Sequence, residues 1–316
     1  MLTDVQHQTE GVRFLRRFVE GRLVSPILLI GPEGVGKKFS ILKAIKEFFC
    51  TGTHKSDCPC SSCYTVTKNS HPDIITLSSA EKDIGIDAIR EVIAEAKSYP
   101  SSANIRCIII DGADHFTVPA ANAFLKTLEE PPARSRFFLI AESNHILPTI
   151  QSRCGHVRYA SLPEAFVLSI VNQYEVDSVK ALVYTRMAEG SVGNAIRYWG
   201  SGKLALRDQA LKTLHFAVQK DIPAIFSSVD NMNQNQDLVL ALKFMEQMVH
   251  DILIARIDSK RAIHVDCLND WSDLGGKIPI VVWGRLARKI KDIQFQYRAV
   301  RLNLPFQLKT ILAETF

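Results

Sequence analysis

The chain is 316 residues long, 47% of them hydrophobic and 22% charged, with a formal net charge of +5. This composition excludes a disordered polymer and supports a buried core divided over two or three compact units. The mild basic bias is no more than solubility requires, so it favours acidic partners without specifying nucleic acid. No stretch approaches the apolar length that crosses a bilayer, and the start, Met1 to Phe14, lacks a basic segment followed by an apolar one, so a cytosolic protein is expected.

In chain order, the first clear element is the apolar run Ile27–Ile30, which enters Gly31-Pro32-Glu33-Gly34-Val35-Gly36-Lys37-Lys38. A strand, a glycine loop and a following helix make a phosphate cradle. Gly31, Gly34 and Gly36 let backbone N–H groups converge on phosphate oxygens, the helix presents its positive end, and Lys37 reaches the outer phosphates. The pattern then calls for Ser or Thr to hold magnesium, but this chain has Lys38, a cation with no acceptor. The fold signal survives while the chemistry is compromised. ATP binding by this chain is therefore doubtful, and a glycine turn kept without any phosphate stays open as a reading.

Between the loop helix and the next apolar run, Ile74–Leu77, lies an insert carrying Cys50, Cys58, Cys60 and Cys63 as C-x7-C-x-C-x2-C. In a long chain this crowding points to a metal rather than to a disulfide framework. Four thiolates in a segment too small for its own core suit a closed, structural zinc site that folds the insert. Cys60 and Cys63 have the usual two-residue gap, whereas Cys58-Pro59-Cys60 is tighter, which leaves His54 or His71 as substitutes for one cysteine. Cys107, Cys154 and Cys267 are scattered and need only be small buried side chains.

Ile86, Ile89, Val92 and Ile93 form a helical stripe, and the run Cys107–Ile110 then delivers Asp111 to a strand end, where a carboxylate steadies magnesium directly or through water. Its neighbour is Gly112, which can polarise no water, and Asp114 reads as a turn or helix-start residue. Pro119 suits a first helical turn, Ala121, Phe124, Leu125 and Leu128 share one face, and Pro131-Pro132 ends that helix. After the run Phe137–Ala141 comes Leu147-Pro148-Thr149-Ile150-Gln151-Ser152-Arg153-Cys154. Arg153 can pair with a carboxylate of its own chain or project to neutralise phosphate charge in a neighbour, and spacing leaves both open.

The four apolar runs lack polar alternation, which predicts a parallel sheet covered by helices on both faces. Beyond Leu162 the strand signals fade. Pro163 to Trp199 reads as short helices with glycine turns, and from Leu204 onward the pattern is that of a helix bundle, with Leu238, Ala241, Leu242, Met245, Met248, Val249 and Ile252 on one stripe. The expected architecture is an α/β P-loop domain over 1–161 with the Cys50–Cys63 insert, a small helical domain over 162–203 and an all-α domain over 204–316.

Several segments together resemble the bacterial clamp-loader family, a branch of the AAA+ proteins. They are Gly31–Lys37, the four-cysteine insert, His71-Pro72-Asp73, Ile86-Asp87-Ala88-Ile89-Arg90, the stretch from Ala121 through Leu125-Lys126-Thr127-Leu128-Glu129-Glu130-Pro131-Pro132, and Pro148 through Ser152-Arg153-Cys154. They span about the first half of the chain.

The resemblance implies a zinc-bearing AAA+ domain, a helical lid and a helical collar that joins five subunits in a ring. It implies gamma or tau and delta subunits as partners, and a sliding clamp and primer–template DNA met through the assembly, with lysines and arginines of the first domain facing the DNA. It also implies that Arg153 is an arginine finger entering a neighbour's ATP site. Where the family's ATPases carry a magnesium-binding hydroxyl, a glutamate and a phosphate-sensing lid arginine, this chain has Lys38, Gly112 and Gly193. The implied role is that of a member that hydrolyses no ATP itself. Two other readings remain: an active gamma-like ATPase, and a zinc-stabilised assembly protein outside replication with a relict loop.

Overall fold

The structure is a computed structural model that describes residues 1–78, 83–142, 146–174, 176–234, 237–300 and 303–316. The chain divides into two compact units, Met1–Pro163 and Glu164–Phe316.

The first unit is built on five parallel strands: β1 (Ile27–Ile30), β2 (Ile74–Ser78), β3 (Arg106–Asp111), β4 (Ser135–Ala141) and β5 (Gly155–Arg158), in the spatial order β2-β3-β4-β1-β5. Successive side chains of a strand point to opposite faces, so an unbroken apolar run supplies two cores at once. Ile27 and Leu29 join Cys107, Ile109, Phe138, Ile140 and Val157 on one face, while Leu28 and Ile30 join Ile108, Ile110, Phe137 and Leu139 on the other.

Helices α1 (Thr9–Val19) and α2 (Lys37–Phe49) cover the first face through Leu15, Phe18, Ile41 and Ile45. Helix α3 (Ser61–Thr67) closes the cysteine insert. Helices α4 (Ile86–Lys97) and α5 (Val118–Glu129) cover the second face through Ile89, Val92, Ala121, Phe124 and Leu128, and the one-turn α6 (Pro148–Gln151) precedes β5. Four of the strands correspond to the apolar runs of the sequence. β5, Gly-His-Val-Arg, has a single buried residue, Val157, and is specified by its pairing with β1 rather than by its own pattern.

One polar knot is fully buried. Asp73, just ahead of β2, accepts the backbone N–H groups of Ser101 (2.6 Å), Ser102 (2.7 Å) and Ala103 (2.7 Å), and the Arg106 guanidinium stands 3.6 Å away. The His71-Pro72-Asp73 segment therefore fixes the loop between α4 and β3.

The second unit is helical: α7 (Glu164–Val171), α8 (Ser178–Met187), α9 (Val192–Gly200), α10 (Leu204–Gln219), α11 (Ile222–Gln234), α12 (Leu238–Ile254), α13 (Leu268–Lys277), α14 (Ile280–Val300) and α15 (Leu304–Thr315). Asp177 and Ser191 cap α8 and α9 through the N–H groups of Val179 and Asn194. The predicted stripe of α12 is buried along its length, its methionines included. Tyr198 of α9 meets Phe244 of α12 edge-on at 5.5 Å, and Arg186 of α8 donates to the Ala262 carbonyl at 2.6 Å, so the short helices and the bundle pack as one unit. Among the described residues no helix is long and apolar enough to cross a membrane.

Candidate functional site

The glycine loop leaves the carboxyl end of β1, between β4 and β5, the edge at which open parallel sheets hold ligands. Two of its glycines are required by geometry. A Cβ on Gly31 would lie 2.2 Å from the Tyr159 carbonyl oxygen, so the loop runs too close to the segment after β5 for any side chain. Gly36 adopts φ 97°, in the left-handed region, and turns the chain into α2. Gly34 is also left-handed, at φ 72°. The first N–H groups of α2 are thereby delivered to the cradle.

Lys37 is buried and folds back over the loop, its ammonium donating to the carbonyl oxygens of Gly31 and of Pro32 (2.6 Å). Burial pulls its pKa down, and the negative charges of Glu142, Asp111, Asp114 and Glu33 oppose that pull. The cradle's lysine is thus already compensated from within the chain. Glu33 and Glu142 were not among the residues singled out from sequence. Glu33 sits in the loop itself, and Glu142 follows Ala141, whose register with Ile30 places it beside Gly31.

Asp111 ends β3 in register with Ser78 of β2. The Lys38 ammonium lies 3.3 Å from Asp111 Oδ2 and 3.3 Å from Ser78 Oγ. The carboxylate expected to steady magnesium is paired instead with a lysine from the very position where a hydroxyl ligand is required. Gly112, at φ 103°, opens the turn Ala113–His115, and Asp114 Oδ2 accepts the Glu142 N–H at 3.1 Å, a structural tie rather than the posture of a free base.

Arg153 follows α6 on the same unit. Its Nε donates to Glu129 Oε1 at 2.8 Å, its Nη2 donates to the same oxygen, and its Nη1 donates to the Thr149 carbonyl (2.9 Å) and to Ser152 Oγ (3.2 Å). Glu129 is the last residue of α5, at the Glu-Glu-Pro-Pro boundary. Of the two roles the sequence left open, pairing with a carboxylate of its own chain is the one this conformation displays. Beside the pair is a shallow cavity of 440 Å³ lined by Val24, Ser25, Pro26, Leu128 and Pro131.

The sulfur atoms of Cys50, Cys58, Cys60 and Cys63 all lie within 4.8 Å of one another. Zinc bound tetrahedrally at its usual 2.3 Å separates its sulfurs by about 3.8 Å, and Cys50 and Cys58 are 3.6 Å apart, far beyond a disulfide bond. The donor set fits a metal, and the short Cys58–Cys60 gap does not prevent convergence. The N–H groups of Cys63 and Thr51 bring the Cys60 thiol down to about 6, toward the thiolate a metal requires, while burial pushes Cys63 up. Neither histidine joins the cluster. His71 Nδ1 accepts the Asp73 N–H at 3.1 Å and its ring packs on Phe49, and His54 sits in an exposed turn at φ 54°.

A five-stranded parallel sheet with a glycine loop at its carboxyl edge defines the first unit as an AAA+-like P-loop domain. The sequence model of the family described as DNA polymerase III, delta subunit, matches residues 7–163. The chain is 29% identical over 212 residues to DNA polymerase III subunit delta' of Escherichia coli, covering 65% of this chain and 64% of that one. It is 34% identical over 156 residues to the Haemophilus influenzae protein of the same name, covering 48% and 46%. The matched region thus spans less than two thirds of each of these relatives. A DNA polymerase III gamma subunit-related protein from Thermotoga maritima superposes with a TM-score of 0.51 at 20% identity over 96% of this chain and 97% of that one, a likeness of fold. The chain belongs to the bacterial DNA polymerase III clamp-loader family, in its delta-prime branch.

Proposed function

We propose that the chain serves as the delta-prime subunit of a DNA polymerase III clamp loader, a subunit that hydrolyses no ATP itself and helps place the sliding clamp on primed DNA. The observation that carries this reading is the Lys38–Asp111 pair, 3.3 Å apart, which puts an ammonium where a hydrolysing site needs magnesium. Gly112 and Gly193 agree with it, since neither can polarise a water or sense a terminal phosphate. The names and sequence similarity of the delta' relatives support the same role.

In this reading Arg153 is the arginine finger. It enters the ATP site of an adjacent gamma or tau subunit and neutralises charge that develops on the transferred phosphoryl group. Gly31, Gly34, Gly36, Lys37 and Asp111 form a degenerate nucleotide site retained for its shape. Cys50, Cys58, Cys60 and Cys63 hold zinc, which supplies no chemistry beyond cross-linking the insert. Residues 162–203 act as the lid and 204–316 as the collar that joins the gamma or tau and delta subunits, and the protein works in the bacterial cytoplasm at the replisome.

Reconstitution tests the reading. The chain is expected to co-purify with delta and with gamma or tau, and Arg153→Ala is expected to leave assembly intact while cutting turnover at the neighbouring site by about 10³-fold. Magnesium-dependent ATP cleavage by the isolated chain, abolished by Lys37→Ala, would establish an active ATPase instead. Failure to associate with any loader subunit would remove the role altogether.

A further inference from the structure

An arginine grips a phosphate through two N–H groups on one edge of its guanidinium plane. Arg153 has five such donors, and its own chain engages most of them: Nε and Nη2 on Glu129 Oε1, Nη1 on the Thr149 carbonyl and on Ser152 Oγ. At most one N–H of Nη2 is left, so no edge can take a phosphate without surrendering a present partner. The backbone carbonyl of Thr149 belongs to the turn that carries Arg153 and stays with it. Glu129 comes from a different element, α5, and its carboxylate is half exposed and can be returned to water at little cost.

We propose that Glu129 is a holding residue for Arg153: its carboxylate occupies the Nε/Nη2 edge while no phosphate is offered, and a neighbour's phosphate takes that edge by displacing it. This rests on the reading of Arg153 as an arginine finger. Carboxylate and phosphate compete for one edge of one guanidinium, so Glu129 sets how much of the phosphate's attraction is spent on exchange. The adjoining cavity, lined by Pro26, Leu128 and Pro131, is room on the same face in which the freed side chain can swing.

The test uses the reconstituted loader with primed DNA, comparing Glu129→Gln, Glu129→Asp and Arg153→Ala in steady-state ATP hydrolysis. Glu129→Gln keeps size and hydrogen-bonding capacity but removes the competing charge. It is expected to lower the KM for ATP about two- to fivefold, the scale of an exposed ion pair, with kcat unchanged, and Glu129→Asp is expected to stay near the parent value. Kinetics unchanged in Glu129→Gln would show that the pair holds nothing back, and a loss of kcat like that of Arg153→Ala would make Glu129 an aiming residue; either overturns the proposal. If Arg153→Ala itself leaves turnover unchanged, the arginine-finger reading fails first, and the two failures are told apart.

Discussion

The Lys38 ammonium stands 3.3 Å from Asp111 Oδ2, joining the first turn of the loop helix to the end of β3. A divalent ion at that point would bring two positive charges and exchangeable coordination positions, whereas the lysine brings one charge on a tether. Replacing it with the hydroxyl that the loop pattern calls for tests whether it stands in for the metal. In Lys38→Thr the carboxylate is released, and magnesium-dependent binding of ATP to the isolated chain should rise at least about tenfold, read by titration calorimetry with and without magnesium. The parent protein should show no magnesium-dependent gain. Both side chains are more than a third exposed, so the fold itself should lose no more than about 1 kcal/mol.

The cysteine cluster predicts a stoichiometry. Purified protein should carry about one equivalent of zinc by elemental measurement, and Cys63→Ser should lose it, because a buried ligand near the start of α3 cannot be replaced from solvent. Loss of metal should expose the insert between Cys50 and Cys63 to protease while leaving the sheet folded. A metal-free protein whose insert resists proteolysis would remove the zinc claim.

Asp73 is fully buried, and burial opposes its charge, but the N–H groups of Ser101, Ser102 and Ala103 and the Ser102 hydroxyl outweigh that cost and hold its carboxyl below the usual range. Asp73→Ala orphans those N–H groups and leaves Arg106 buried without its partner, a loss of about 3–5 kcal/mol. Urea denaturation of the first unit, followed by circular dichroism, should show it. A group with a depressed folded pKa stabilises above its unfolded value, so this contribution is present at neutral pH and is lost as pH falls below about 4.

His264 makes the second unit sensitive to acid. It is fully buried, neither ring nitrogen has a hydrogen-bond partner among the described residues, and burial together with the Arg207 charge lowers its pKa to about 3, against a smaller opposing pull from Asp266. Below pH 6.5 the unfolded chain takes up a proton that the folded one refuses, so stability falls with pH by about 1.4 kcal/mol per unit between 6.5 and 3. All three tryptophans, Trp199, Trp271 and Trp283, lie in the second unit, so their fluorescence reports its unfolding alone. Urea midpoints at pH 7.5 and 5.5 should differ in the parent protein and should converge in His264→Leu.

The sheet was legible because buried parallel strands are written as apolar runs: Ile27–Ile30, Cys107–Ile110 and Phe137–Ala141 each feed two cores and tolerate no polar alternation. β5 escaped for the converse reason, since an edge strand with one buried residue carries no pattern of its own. The loop was legible through Gly31 and Gly36, whose backbone positions admit no side chain or demand a left-handed turn.

Sequence alone therefore determined the strand–loop–helix frame, the absence of a magnesium hydroxyl at Lys38 and the crowding of four cysteines, because each is a matter of residue type at local spacing. Only the tertiary structure decided who meets whom. Lys38 and Asp111 are 73 positions apart, Arg153 and Glu129 are 24 apart, and the cysteine sulfurs converge across a gap that spacing alone made doubtful. Such partnerships depend on strand order and helix direction, and a charge in a sequence carries no mark of the opposite charge it will find.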